Sequence, residues 1–190
     1  ASEKYNIGMS GITITDERRE SVDFSDVSHT EDLVLVIHKQ SDEKTLADYK
    51  NANVGVTTGT YAATITKDVF PDANIKEFSS VSDLMLALTQ GKIDICMNDV
   101  SLYTSAKWEG MSIDRLDEVY ETSDYGIAFK KGTNGELREQ LNEFIAAIKE
   151  NGEYDRLQAK WFGDKEPTEF ADPNALTGTN GTIRVVTCNE

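Results

Sequence analysis

Ile7-Gly-Met-Ser-Gly-Ile-Thr-Ile-Thr-Asp-Glu-Arg18, continuing to Val22-Asp-Phe-Ser-Asp26, is the stretch of this 190-residue chain that decides its fold. An apolar strand ends here in glycine and hydroxyl residues, and Asp16-Glu17 then opens a short helical turn that carries Arg18. Backbone groups at a strand end, a threonine hydroxyl and a guanidinium fork can together hold a carboxylate through two oxygens. The segment therefore predicts a carboxylate-binding corner.

Strands and helices alternate through the rest of the chain. Leu33-Val-Leu-Val-Ile37 is a continuous apolar run, which is typical of a buried parallel strand, and Ile93-Asp-Ile-Cys-Met97 predicts a second strand that delivers Asn98-Asp99 at its end. Helical patterns cover residues 61–69, 81–90 and 101–108, followed by a long helical region that breaks at Gly152. This alternation predicts an α/β fold with mainly parallel sheets.

Ligands of such sheets gather at the carboxyl ends of the strands. Three candidate groups fall at those ends, within residues 13–18, 57–61 and 98–99. The backbone amides that begin a helix at Thr60 and Tyr61, after Gly59, favour an anion, and Asp99 can bind a primary amine. Other roles stay open: a surface ion pair for Arg18, and helix capping for Thr60 and Asp99.

Composition excludes several classes of function. The chain has 19 basic and 34 acidic residues, a net charge of −15, which argues against nucleic acid or an anionic membrane surface as partner. No apolar run approaches the roughly 20 residues of a membrane span. His29 and His38 lack the spacing of a metal site, and Cys96 and Cys188 form neither a zinc pattern nor a disulfide framework.

A series of landmarks runs in order from Tyr5 to Gly163. They are Gly11-Ile-Thr-Ile-Thr-Asp-Glu-Arg18, Asp23-Phe-Ser25, Val54-Gly-Val-Thr-Thr-Gly-Thr60, Gly91-Lys-Ile-Asp94 with Asp99, Tyr125-Gly-Ile-Ala-Phe129, Glu150-Asn-Gly-Glu-Tyr154 and Lys160-Trp-Phe-Gly163. Together they resemble extracellular solute-binding proteins of family 3, the amino-acid-binding proteins of ABC importers, which have the type II periplasmic-binding fold.

The resemblance implies two lobes joined by two hinge crossings, with the first lobe incomplete. By that pattern, residues 1–27 and 126–163 form partial lobe I, 28–32 and 122–125 form the crossings, 33–121 form lobe II, and 164–181 form a linker. A family member begins with a strand that resembles Ile183-Arg-Val-Val-Thr187. We therefore expect residues 182–190 to be the first strand of a following repeat in a tandem-domain protein.

The absence of that strand from the front of lobe I predicts an unpaired sheet edge, which is a template for any matching strand. We expect Ile183–Thr187 to dock on the strand formed by residues 5–12, either within one chain or by exchange in a strand-swapped dimer.

The resemblance also implies roles for the candidate residues. Thr13 and Arg18 hold the α-carboxylate of an amino acid, while the Gly11 carbonyl and the Asp99 carboxylate bind its α-ammonium. The amides of Thr60 and Tyr61 complete the carboxylate site, and Asn98 is a candidate reader of the ligand side chain. The implied function is extracytoplasmic binding of a free polar α-amino acid between two closing lobes, in the periplasm or at the outer face of the cell membrane. The bound amino acid is then delivered to an ABC transporter permease, without a cofactor.

Two other classes of function stay open. One is the ligand-binding sensor domain of a membrane receptor or signalling protein. The other is an enzyme, since a few relatives of this fold are dehydratases. General acid–base catalysis would need a paired carboxylate or a histidine at the three strand ends, and the sequence predicts none there, so no catalytic residue is assigned.

Overall fold

The computed structural model describes residues 5–39 and 45–163, together with the backbone of Val185–Val186. The chain divides into two units, which are described separately. Unit 1 comprises residues 1–30 and 124–189, and unit 2 comprises residues 31–123. The predicted linker at 164–181 lies outside the described residues, as does the rest of the predicted repeat at 182–190, and both remain predictions.

Nine strands are formed by the described residues. They are β1 (Ile7–Gly8), β2 (Val22–Phe24), β3 (His29–His38), β4 (Asn53–Thr57), β5 (Asn74–Phe78), β6 (Ile95–Asp99), β7 (Ile113–Tyr125), β8 (Ala128–Lys130) and β9 (Val185–Val186).

Six α-helices and one 3-10 helix (Leu46–Tyr49) connect these strands within the described residues. The α-helices are α1 (Asp16–Ser21), α2 (Tyr61–Val69), α3 (Val81–Thr89), α4 (Val100–Trp108), α5 (Gly135–Glu150) and α6 (Glu153–Trp161). The helix predicted at 61–69 is confirmed at both ends, because Thr60 caps its start and Pro71 follows its end.

Unit 1 contains a sheet with the strand order β2-β8-β1-β9. Strand β8 is antiparallel to both β1 and β2, while β9 is parallel to β1, with Ile7 opposite Val185 and Gly8 opposite Val186. The predicted docking of the C-terminal strand on the strand near residue 7 is confirmed by this pairing.

Unit 2 contains a sheet with the strand order β5-β4-β6-β3-β7. Strand β4 is parallel to both β5 and β6, but β3 is antiparallel to β6, with Leu33 opposite Asp99 and Ile37 opposite Ile95. The α/β class is confirmed, whereas the expectation of mainly parallel sheets was wrong: both sheets are mixed.

The predicted direction of β3 was wrong because an apolar run indicates that a strand is buried on both faces and not whether it is parallel to its neighbours. A central antiparallel strand can be buried on both faces as well. Alternate residues of β3 enter two different cores of unit 2. Leu33, Leu35 and Ile37 pack with residues of α2 in one core, and Val34 and Val36 pack with residues of α3 in the other.

Asp23 on β2 ties the turn between β8 and α5 to the sheet of unit 1. Its Oδ2 accepts the backbone N–H of Gly132 at 2.8 Å, and its carboxylate lies 3.2 Å from Lys131 Nζ and 3.5 Å from Arg138 Nη1. The hydrogen bond from Gly132 is the main cause that holds the pKa of Asp23 below its ordinary value of 3.8, and the two cations act in the same direction.

We predict that Asp23 makes unit 1 sensitive to acid. A carboxyl group with a depressed folded-state pKa stabilises the fold above its unfolded-state pKa, and that stabilisation is lost as the pH falls through the folded-state value. The Asp23→Asn variant should therefore lose less free energy of unfolding than the parent between about pH 6 and about pH 3, as measured by urea unfolding. An equal loss in both proteins would show that the Asp23 contacts contribute nothing in solution.

Candidate functional site

In unit 1, the segment after β1 lies beside residues 124–126. Thr13 is buried and forms an isolated antiparallel bridge with Tyr125. The Ile14 N–H donates to the Asp124 carbonyl at 2.8 Å, and the Gly126 N–H donates to the Ile12 carbonyl at 3.2 Å. These bonds fix the backbone at Thr13.

Arg18 is brought back toward Thr13 by α1, although β1 ends at Gly8 and Thr13 is therefore not at a strand end as the sequence predicted. The helix begins after Thr15, whose Oγ1 accepts the Arg18 backbone N–H at 3.1 Å. The Arg18 Nη1 then donates to the Thr13 carbonyl at 2.9 Å. The structure thus brings Thr13 and Arg18 together, and Arg18 is half-buried. Gly11 is exposed nearby, and a Cβ built on it would lie 3.7 Å from the Tyr125 ring.

In unit 2, the junction between β4 and α2 contains Gly59, Thr60 and Tyr61. Gly59 has a φ of +79°, which favours glycine. Thr60 Oγ1 accepts the Ala63 N–H at 3.1 Å and donates to the Thr57 carbonyl at 2.8 Å. The capping role for the Thr60 hydroxyl is therefore realised.

The backbone N–H of Thr60 already donates to the Thr57 carbonyl at 3.3 Å. The sequence assigned two amides to an anion, those of Thr60 and Tyr61. Tyr61 is the first residue of α2, and an amide in the first turn of a helix has no acceptor within that helix. The Tyr61 phenol donates to Glu121 Oε1 at 2.9 Å. Partial burial, followed by this contact with Glu121, raises the pKa of Tyr61.

Asn98 and Asp99 lie at the junction between β6 and α4. Asn98 is buried, with its Nδ2 4.0 Å from Cys96 Sγ, and burial raises the pKa of the Cys96 thiol to about 12. Asp99 ends β6 and occupies the capping position of α4, but its side chain makes no capping hydrogen bond. The Asp99 side chain therefore does not cap α4, which was the alternative role left open for it.

The seven predicted binding residues form two groups, one in each unit. Gly11, Thr13 and Arg18 belong to unit 1; Thr60, Tyr61, Asn98 and Asp99 belong to unit 2. Within unit 2, β4 and β6 are adjacent and parallel, so their carboxyl ends lie at the same edge of the sheet. The two junctions that follow these strands therefore share that edge.

Sequence reasoning missed two residues that organise these regions. Glu31 on β3 is buried, and its Oε1 accepts the backbone N–H of Ser101 in α4. In unit 1, the His29 ring stacks on Phe162, with centroids 4.3 Å apart, and its Nδ1 lies 3.1 Å from Gln158 Nε2. Both contacts join residues distant in sequence, and no local sequence pattern predicts them.

The described residues include no group of three or more His, Cys, Asp or Glu side chains that could hold a metal ion. None of the helices in the described ranges is long and apolar enough to cross a membrane.

Residues 1–164 match the family described as bacterial extracellular solute-binding proteins, family 3. The chain belongs to that family. A protein of Neisseria gonorrhoeae named "Probable histidine-binding protein" is 33% identical over 164 residues, which cover 83% of this chain and 60% of that protein. The "ABC transporter arginine-binding protein 1" of Escherichia coli K12 is 30% identical over 166 residues, 84% of this chain and 67% of that protein.

Among solved structures, an ancestral arginine-binding protein bound to glutamine superposes on this family 3 chain with a TM-score of 0.75 at 32% identity. The match covers 83% of this chain and 71% of that structure. The chain spans 60% of the length of the Neisseria relative, so it corresponds to a part of such a protein.

Proposed function

We propose that this chain captures a free polar α-amino acid outside the cytoplasm and delivers it to the permease of an ABC transporter. The observation that carries the proposal is that each unit holds one charged side chain, of opposite sign, at a helix start that is fixed by hydrogen bonds. Arg18 is held at the Thr13 corner of unit 1, and Asp99 begins α4 at the carboxyl edge of the unit 2 sheet. The carboxylate and ammonium of an amino acid are complementary to these two groups.

The names of the relatives support this ligand class and narrow it. They are named for binding histidine and arginine, and the superposed ancestral arginine-binding protein holds glutamine. Nitrogen-bearing side chains are common to these three ligands. A chain with a net charge of −15 also attracts a cationic amino acid over distance. We therefore propose L-arginine, L-histidine and L-glutamine as the first ligands to test.

Binding without catalysis is part of the proposal. The relatives reported above are named for binding, and the seven residues assigned to the ligand include one carboxylate, Asp99, and no histidine. The three roles that remain to be tested are carboxylate binding by Thr13, Arg18 and the Tyr61 amide, ammonium binding by Gly11 and Asp99, and side-chain recognition by Asn98.

The proposal predicts that Arg18→Ala and Asp99→Ala each remove most of the affinity for the amino acid. Removing one partner of a buried, charge-assisted pair costs about 2–5 kcal/mol of binding free energy. Calorimetric titration of the parent with L-arginine, L-histidine and L-glutamine comes first, and the variants are then titrated with each amino acid that binds.

Arg19→Ala and Asp117→Ala are matched controls, because both side chains are exposed and each lies in the same unit as its counterpart. Both controls should bind like the parent. A parent that binds none of the twenty common amino acids would contradict the proposed function, and Arg18→Ala or Asp99→Ala within twofold of the parent would contradict the assigned roles.

Gly59→Val should weaken binding mainly through the backbone. A Cβ at Gly59 meets nothing within 4 Å, so the main cost of the substitution is the left-handed conformation, about 1–2 kcal/mol. Relief of that strain would move the turn that presents the first amides of α2. Gly110→Val is the matched control, since Gly110 has a φ of +80° and equally open surroundings after the end of α4.

Both glycine variants should lower the melting temperature by a similar amount, and only Gly59→Val should lower the affinity measured by calorimetry. If the two variants bind equally well, the α2 junction is a helix cap and does not contact the ligand.

We also propose that the β1–β9 pairing can form between two copies of the chain, which gives a strand-swapped dimer. Val185 and Val186 pair with β1 in the part of the chain that the structure describes, and the same ladder serves equally when β9 comes from a neighbour. Light scattering should show a dimer fraction that rises with concentration. Val185→Pro removes a backbone N–H from β9 and should abolish that fraction. A monomeric mass for the parent at all concentrations would exclude the exchange.

A further inference from the structure

Glu31 continues the β3–β6 ladder beyond the point where β6 ends. The antiparallel register places Leu33 opposite Asp99 and Val34 opposite Asn98. Extending it by two residues places Glu31 opposite Ser101. The chain has by then left the sheet, because α4 begins at Val100. At this position the Glu31 side chain, through Oε1, accepts the Ser101 backbone N–H.

The hydrogen bond from Ser101 to Glu31 caps the N-terminus of α4. Ser101 is the second residue of α4, and its N–H has no acceptor within the helix. The three α-helices that follow a threonine or serine are capped by that residue: Thr15 for α1, Thr60 for α2 and Ser80 for α3. In α4, the residue at the capping position is Asp99, whose side chain makes no such bond. The acceptor is supplied instead by a neighbouring strand.

The environment of Glu31 makes the contact costly to lose. The residue is only 8% exposed. A buried carboxylate is tolerated when hydrogen-bond donors satisfy it, and the positive end of a helix dipole adds to that effect. Removing the carboxylate leaves the Ser101 amide without its acceptor, and the first turn of α4 is then held less firmly.

We infer that Glu31 is a positioning residue for Asn98 and Asp99. By capping α4 from β3, it fixes the two residues between the end of the ladder and the first turn of the helix, and with them the direction in which the Asp99 carboxylate leaves the sheet. The cap also keeps that carboxylate out of the capping role its position would otherwise invite. This inference rests on the proposed function, in which Asp99 binds the α-ammonium of the amino acid.

Two substitutions at Glu31 separate positioning from charge. Glu31→Ala removes the acceptor and should weaken binding of L-arginine, L-histidine or L-glutamine roughly tenfold, the size of a typical capping loss. Glu31→Gln keeps an acceptor oxygen but no charge, and should bind within about threefold of the parent. If Glu31→Gln binds as weakly as Glu31→Ala, the carboxylate acts through its charge and the inference is wrong.

Ser80→Ala is the matched control, because it removes the cap of α3, a helix of the same length in the same unit. It should lower the melting temperature about as much as Glu31→Ala does while leaving the affinity within twofold of the parent. Equal losses of affinity in Ser80→Ala and Glu31→Ala would mean that any cap in unit 2 matters, and would overturn a specific role for Glu31.

A measurement without ligand keeps the inference separate from the proposed function. Amide hydrogen exchange at Ser101 should accelerate in Glu31→Ala, and in Glu31→Gln it should stay near the parent rate. Unchanged exchange in Glu31→Ala would show that Glu31 does not hold the junction. If the parent binds none of the twenty common amino acids, the proposed function fails, while the exchange rates still decide whether Glu31 holds α4.

Discussion

Strand β3 is buried on both of its faces, and that burial arranges the rest of unit 2. Its alternate residues fill two cores, one against α2 and one against α3. In a strand with one solvent-exposed face, a register shift of one residue would bury polar side chains. Both faces of β3 are apolar, so a shift of one residue along β6 has no such cost. Polar groups at the end of the strand supply the missing constraint. A slip would move the buried Glu31 carboxylate away from the Ser101 amide and leave both groups without that bond.

Local sequence predicted the elements better than their partners. The limits of α2 follow from Thr60 at its start and the Phe70-Pro71 stop, and the corner at Thr13 and Arg18 follows from the glycine and hydroxyl residues before α1. The direction of β3 could not be read in the same way, because apolar runs look alike in parallel and antiparallel neighbours once both faces are covered. The Glu31 cap was missed for a related reason, since its two partners are 70 residues apart and meet only through the β3–β6 register.

The first turns of α1, α2 and α4 each have a backbone N–H that donates to a side chain, but the side chain differs in kind and origin. At α1, Thr15 caps the helix and the Arg18 side chain returns to the Thr13 carbonyl. At α2, the Thr60 hydroxyl donates to one backbone group and accepts from another. At α4, the cap comes from β3. Each arrangement uses groups of its own unit.

That independence bears on how tightly a small ligand can be held. Binding free energy is reduced by whatever ordering the ligand must impose on the groups that receive it. The turns before α1, α2 and α4 are fixed by hydrogen bonds within the chain, so the backbone at Thr13, Tyr61 and Asp99, the residues proposed to receive an amino acid, is already ordered. Under the proposed function, substitutions that loosen one of these turns should therefore reduce affinity even where they remove no contact with the amino acid.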